Sequence, residues 1–409
     1  MDELHQPPPS SIDPLAVGIR LTEARRARGM TQQQAAEALG VARTTVTAME
    51  KGDRRPRSAE LLHLAELYGR QVADLTRPLP ATRPESFVVQ FRGARGGTFS
   101  GESKSASDIV AFQDLCEDYA ELERLTESPL PRRYPEVYDI GDTDPERAGE
   151  EVASSERLRL GLGDGPLGDL WGLLEAEVGL RVFAPPFVSA NAGMFVYTTE
   201  YGGCIAINGK HPEERRRWSA AHEFAHFLAD RFKPEITVLP GRRLPEEERF
   251  ADAFARHFLM PASGLTRQFQ GIKRAKEAPI TPADILGLCR RYGASFIAMM
   301  LRLEQLRLLE PGTLDRLTNK GFKPDAARAA LGLPPTSPQL RLLPVRFEVL
   351  AVQAFEQGAL SEGQLARFLR LDRVRARERV TELTQLAPDY AEGSWHQASL
   401  DLSAALVER

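Results

Sequence analysis

Between residues 14 and 77 the apolar positions recur at spacings of three and four. They fall in four short runs, "VGIRLTEARRARG", "TQQQAAEALG", "ARTTVTAMEKG" and "SAELLHLAELYG". Leu21, Ala24, Ala35, Leu39, Val46, Met49, Leu61, Leu64 and Ala65 line one face of each predicted helix, so these faces are expected to be buried together. Each run stops at a glycine, and Thr31 and Ser58 stand where N-caps are expected. The pattern predicts a bundle of four or five short helices.

The period changes further along. "TRPLPATRPE" is a proline-marked linker, "SFVVQFRG" a short predicted strand, "ARGGTFSGESKSAS" a loop, and 107–127 a helix. The stretch "SPLPRRYPEVYDIGDTDPE" carries four prolines. Helical patterns at 146–160 and in "GLGDGPLGDLWGLLEAEVGL" lead to a strand, "RVFAPPF". Then "AGMFVYTTEYGGCIAIN" alternates as a β-hairpin around Gly202-Gly203. Helices follow at 213–231 and 245–259, the second opening on Pro245 and stopping before Pro261, and further ones to about 309. The last stretch is helical and charged; within it "FEVLAVQAFEQGALSEGQLARFLRLDRVRARERV" is punctuated like a second small helix-turn-helix. The expected organisation is a disordered lead-in (1–13), a helix-turn-helix domain (14–77), a linker containing the 107–127 helix (78–145), a central domain (146–310) and a C-terminal helical domain (311–409). The fold class is mainly α with a small β-sheet.

Composition narrows the setting. With 42% hydrophobic and 27% charged residues among 409, the chain reads as globular, with no run near the ~18 apolar residues of a membrane span. "MDELHQPPPSSIDP" is acidic and proline-rich, unlike a signal peptide. Three scattered cysteines, Cys116, Cys204 and Cys289, argue against a disulfide framework and for the cytoplasm, each as a small buried apolar residue. The net charge of −4 is uneven: residues 14–77 hold 11 Lys+Arg against 7 Asp+Glu, or +4, which leaves −8 elsewhere. A basic head on an acidic body suits a polyanion such as DNA.

A helix-turn-helix presents its second helix to a major groove. In "TQQQAAEALGVARTTVTAMEKG", Ala35 and Ala36 allow close helix contact, Gly40 makes the turn, and Val46 and Met49 anchor the second helix. Arg43, Thr44, Thr45, Thr47 and Ala48 are left to face outward or along the rim, for base edges, thymine methyls or phosphates. Lys51, Arg54, Arg55 and Arg57 follow for the phosphate backbone. The stretch resembles the XRE family of phage-repressor-type helix-turn-helix domains. That resemblance implies a phosphate contact for Gln32, with Arg43, Thr44 and Thr47 nearest the bases. Such heads usually read two half-sites, so a homodimer on a double-stranded operator is expected.

The densest chemistry lies in "WSAAHEFAHFLAD". Four residues of an α-helix turn through about 400°, which puts His222 and His226 on one face where both imidazoles can reach one ion. Glu223, roughly 100° away, can serve as a general base without ligating the metal. A third ligand is needed. Asp230 suits a supporting position at most. Glu248 and Asp252, four apart, offer a carboxylate ligand and a partner for a ligating imidazole. His257, about 900° round from Glu248, falls on the opposite helix face and reads as a structural or surface histidine. Trp218, Ala221, Ala225 and Leu228 form the apolar side of this helix, with "EERRRW" expected to put polar residues outside. The preceding hairpin would leave an edge strand beside the cleft for an extended peptide, and Tyr197 or Tyr201 could stabilise an oxyanion.

The run "NAGMFVYTTEYGGCIAIN…RRRWSAAHEFAHFLAD…EEERFADAFARHFLMP" is similar to ImmA/IrrE-type zinc metallopeptidases, across about 150–310. The resemblance implies a zincin-like, gluzincin-type domain with Zn2+ held by His222, His226 and Glu248, Asp252 supporting, and Glu223 catalytic. It also implies cleavage of an XRE-type repressor in a stress, phage or mobile-element response. Ala225 and Asp230 depart from the family's usual Gly and His, and neither change removes a ligand. Cleavage could act in trans or on the chain's own linker, 76–106. The expected location is the cytoplasm, at the nucleoid and away from membranes. A second possibility is a transcription factor whose zinc domain senses a ligand or partner and cuts nothing.

Overall fold

A helix-turn-helix bundle opens the computed structural model, which describes residues 14–28, 30–70, 72–76, 89–92, 102–188, 191–232, 246–276, 278–333 and 342–385. The expected lead-in, most of the 76–106 linker and Pro245 lie outside them. The head comprises α1 (Pro14–Ala27), α2 (Gln32–Leu39), α3 (Arg43–Lys51), α4 (Ser58–Tyr68) and α5 (Val72–Leu75). The predicted inward residues form its core, with Leu39 and Leu61 only partly covered. Gly40, Gly52 and Gly69 close α2, α3 and α4 in the left-handed conformation, and Thr31 caps α2. Ser58 is the first helical residue of α4 and not its cap: Arg57 holds the cap position, and its N–H donates to Glu60 at 2.7 Å.

The strand β1 (Val89–Arg92) precedes α6 (Glu102–Leu125) and α7 (Pro145–Arg159). Where one helix is predicted over "LWGLLEAEV", a single turn, α8 (Leu170–Gly172), widens into a π-helix over Leu173–Val178. Then come β2 (Arg181–Phe183), β3 (Gly193–Thr198), β4 (Gly202–Ile207), α9 (Glu213–Asp230), α10 (Glu246–Leu259), α11 (Ala262–Ala275), α12 (Pro282–Tyr292), α13 (Phe296–Gln305), α14 (Thr313–Asn319) and α15 (Pro324–Ala330). The chain continues as α16 (Val345–Glu356), α17 (Glu362–Phe368) and α18 (Arg373–Gln385).

The chain divides into two compact units, Met1–Glu117 with Leu130–Pro344, and Asp118–Pro129 with Val345–Arg409. In the second, Asp118 on α6 pairs with Arg367 and Arg370, and Arg346 reaches Glu123.

In the first unit the sheet runs β1-β3-β4-β2, with β3 antiparallel to both β1 and β4, and β2 parallel to β4. This corrects the expectation of a free hairpin edge. The outer side of β3 is already paired by β1, in the register Val89 to Val196 and Arg92 to Gly193. Val89–Arg92 takes up the outer backbone groups of Gly193–Val196, which an unpaired edge would leave unpartnered.

Helix α9 lies on β3 and β4, with α10 and α7 packed beyond it, around a core that includes Phe224, Phe227, Leu228, Phe250, Phe254 and Phe258. Its polar first turns are only partly outside as predicted: Glu213 and Arg215 are exposed, but Glu214, Arg216 and Arg217 are buried. Arg217 donates to the carbonyls of Leu167 (2.9 Å) and Gly168 (2.8 Å), and Glu214 pairs with Arg328 at 2.7 Å. Charges can be enclosed when partners of this kind replace water. The proline-rich stretch ahead of α7 packs against the same helix: Tyr138 donates its N–H to the Leu228 carbonyl at 3.1 Å, satisfying a terminal group of α9.

Candidate metal centre

Helical periodicity brings His222 and His226 together as predicted, with Nε2 atoms 3.1 Å apart. Glu248, in the first turn of α10, meets both: its carboxylate oxygens lie 3.3 Å from His222 Nε2 and 3.6 Å from His226 Nε2. A tetrahedral ion with bonds of about 2.0–2.1 Å separates its ligand atoms by roughly 3.3 Å. The two Glu248 contacts use different oxygens, Oε2 and Oε1, and one ligand atom from each of the three residues lies within 4.8 Å of the others; two imidazoles with one carboxylate are a donor set that zinc accepts. The residues therefore fit the ion.

The far side of each ring is also engaged. His222 Nδ1 lies 3.2 Å from Asp252 Oδ1, and His226 Nδ1 lies 3.2 Å from Asp230 Oδ2. A carboxylate at Nδ1 favours the tautomer protonated there and leaves the Nε2 lone pair facing the ion site. Burial opposes a charge on His222, but Asp252 and Glu248, with the charge of Glu223, outweigh it and raise its pKa to about 10. His226 and Asp230 are fully buried, while His222 is partly open to solvent. Phe195 stacks on the His226 ring at 6.2 Å, a contact not read from the sequence.

Glu223 is almost wholly buried, beside the first residue of β3. A Cβ on Gly193 would lie 2.7 Å from Glu223 Oε1 and 2.8 Å from its Cγ. Only glycine leaves the glutamate its present place. The sequence signal was a lone glycine opening an apolar strand, which often marks a close approach. Tyr201 is a buried core residue, and Tyr197 packs edge-on against Phe232, so both serve packing here. His257 is itself buried and lies in a separate network with the more exposed Glu146 (3.4 Å) and Glu150 (3.4 Å) and with buried Arg302 (3.1 Å), where burial and the Arg302 charge lower its pKa.

In the head, Arg43, Thr44, Lys51 and Arg55 are exposed, with Thr45, Thr47 and Arg54 half-buried. Gln32 donates to Glu50 (2.7 Å) and accepts from the Thr47 hydroxyl (3.1 Å). Arg54 forms a two-pronged pair with Glu60 (3.1 and 2.8 Å), which commits it to the loop. Arg25, not singled out from the sequence, pairs with Glu50 inside the bundle through Nη2 at 2.9 Å.

A helix-turn-helix head is joined to a metallopeptidase-type domain. Residues 21–75 match the helix-turn-helix family, and residues 175–304 match the IrrE N-terminal-like domain of the M78 peptidase family. The chain thus joins a segment similar to XRE-type helix-turn-helix domains to one similar to the IrrE-like peptidase family, which supports a regulator with a protease-like domain. No curated protein matches it. One solved structure, ComR from Streptococcus suis, aligns over 92% of this chain and 91% of that chain, at 12% identity and a TM-score of 0.16. A score that low carries no argument here. Among the described residues no helix is long and apolar enough to cross a membrane.

Proposed function

We propose that the central domain is a zinc endopeptidase and that the head targets it to an operator in the cytoplasm, at the nucleoid, as a homodimer. The observation that carries the reading is the convergence of His222, His226 and Glu248, with a carboxylate behind each imidazole and Glu223 on the same helix. Zn2+ bound there supplies a Lewis acid that polarises a peptide carbonyl and makes water more acidic. Glu223 takes the proton from the attacking water and returns it to the leaving amine. Gly193 gives that carboxylate room, while Asp252 and Asp230 hold the two ligating rings in their tautomers. In the head, Arg43, Thr44, Thr45 and Thr47 face the bases, while Lys51, Arg55 and the Gln32 end of α2 face phosphates.

An XRE-type repressor is the substrate in trans, under stress or during phage or mobile-element release. The pairing of β1 with β3 favours an added cis reaction, because β1 belongs to the chain's own 76–106 linker and runs along the edge where a substrate strand would add. The test combines metal content by mass spectrometry with cleavage of candidate repressors and of the chain itself. Wild type should carry one zinc, Glu248→Ala should lose it, and Glu223→Gln should keep it and cut nothing. If regulation in cells survives Glu223→Gln with metal retained, the domain is a sensor and proteolysis is not its mechanism.

A further inference from the structure

We infer that the second unit holds another duplex-DNA-reading helix-turn-helix, with α18 as its reading helix. The idea goes beyond the proposed function and does not depend on the metal centre.

The stretch Ser361–Val380 repeats the local design of Thr31–Glu50 without a gap. Thr31 and Ser361 both cap the first helix in a capping box, each accepting from the N–H of the glutamine three residues on. Those glutamines, Gln34 and Gln364, each accept the cap residue's N–H at 2.8 Å. Ala35 and Ala36 are buried, and so are Leu365 and Ala366. The turn uses one left-handed residue in each case, Gly40 (φ 68°) and Arg370 (φ 56°). It closes with the same bond, Val41 N–H to Ala36 O and Leu371 N–H to Ala366 O, both 3.0 Å. Val46 and Ala376 then anchor the second helix, with 2% and 0% exposure. A cross-helix bond recurs too: Thr47 donates to Gln32 in the head, and Arg377 donates to Glu362 at 2.7 Å in the second unit.

What differs is the outward face. Where the head has Arg43, Thr44, Thr45 and Thr47, α18 has Arg373, Val374, Arg375 and Arg377. Arg375 and Arg377 side chains are 72% and 70% exposed, and Val374 is 65% exposed. Arg367 and Arg370 are committed internally to Asp118, and Arg379 to Glu348 and Glu382, whereas Arg375 and Arg377 form solvent-exposed pairs with Asp372 (3.7 Å) and Glu362 (2.7 Å), a kind of pair worth little that phosphates can displace. Asp372 is used as well, accepting the Arg375 N–H at 2.9 Å. Three cations around a solvent-facing valine suit a major groove, where guanidinium groups read guanine or phosphate and an apolar side chain meets a thymine methyl.

The test uses the full chain and a pool of random-sequence DNA duplexes, with binding followed by fluorescence anisotropy across a salt series. Arg373→Ala/Arg375→Ala/Arg377→Ala should weaken binding about tenfold or more at ~100 mM salt, and flatten the log–log salt slope by roughly 0.9 for each phosphate that is no longer neutralised. Combined with Arg43→Ala/Lys51→Ala/Arg55→Ala in the head, it should lower affinity beyond the head variant alone. Circular dichroism guards against misfolding, and Arg375→Glu should weaken binding more than Arg375→Ala. A triple variant with wild-type affinity and slope overturns the proposal, and leaves the arginine face to an acidic protein partner.

Discussion

Replacing Gly193 with alanine tests whether the placement of Glu223 matters as the geometry implies. The new Cβ would begin 2.7 Å from Glu223 Oε1 and 2.8 Å from Glu223 Cγ. Ordinary carbon contacts are about 3.5–4.0 Å, so the carboxylate must retreat by close to 1 Å or β3 must shift. Misplacing a reacting group by about 1 Å can cost on the order of 10²-fold in rate. The three atoms nearest the new methyl all belong to Glu223 and none to a metal-binding residue, so zinc content should stay at the wild-type level. The expected result is cleavage down about a hundredfold with unchanged metal stoichiometry. Gly271→Ala is the control: it lies on α11, with nothing within 4 Å of its added carbon. It should leave cleavage unaltered and stabilise the chain by up to about 1 kcal/mol. Wild-type turnover in Gly193→Ala would refute the reasoning, since the glutamate would then tolerate displacement or not be the base.

Asp252→Asn and Asp230→Asn should each weaken zinc binding about 10–100-fold, measured by competition with a chromophoric chelator; equal affinity in both would remove the orienting role. Glu50→Gln should destabilise the head by about 3 kcal/mol or more, because it leaves the buried Arg25 charge without its counter-charge, with hydrogen exchange of α3 as the readout. Burial raises the Glu50 pKa, but the bonds from Arg25 and Gln32 and the Arg25 charge outweigh it, and the net shift is below 4.5. Its contribution to stability is therefore full above about pH 4.5 and fades as pH falls through the lower folded value. Wild-type α3 should lose protection on acidification through that range, and Glu50→Gln should show a flatter profile; parallel profiles would exclude Glu50 as the source.

The helices of the head and the histidine pair were legible because each rests on a local rule: periodicity, a capping residue, a glycine stop, an i,i+4 spacing. Glu248 and Asp252 were legible for the same reason once two facing carboxylates were sought. Arg25 with Glu50 was not, since nothing in either residue's neighbourhood names a partner 25 positions away. Arg216 and Arg217 misled, because a charged run reads as solvated until a distant backbone supplies acceptors. The edge of β3 misled in another way: β1 is separated from it by a hundred residues, and strand pairing at that distance leaves no periodic trace.

These non-local contacts also explain why a metal centre can be precise on α9. The helix is held at its start by Arg217 on the 167–168 carbonyls and by Glu214 with Arg328. At its end Tyr138 donates to the Leu228 carbonyl, and Arg231 donates to the Pro135 carbonyl. Between those clamps His226 cannot turn, with Phe195 on its face and Asp230 on its edge. Three of the four polar groups around the ion site are thus fixed by α9 and its neighbours before any metal arrives: His222, His226 and Glu223. Glu248, like Asp252 behind His222, comes from α10, and its position depends on how α10 packs against α7 and α9. A ligand set preorganised in this way loses little on binding the ion, so, apart from the ligands and the two carboxylates behind the imidazoles, most of the sensitivity of metal affinity should sit at the α10 packing surface.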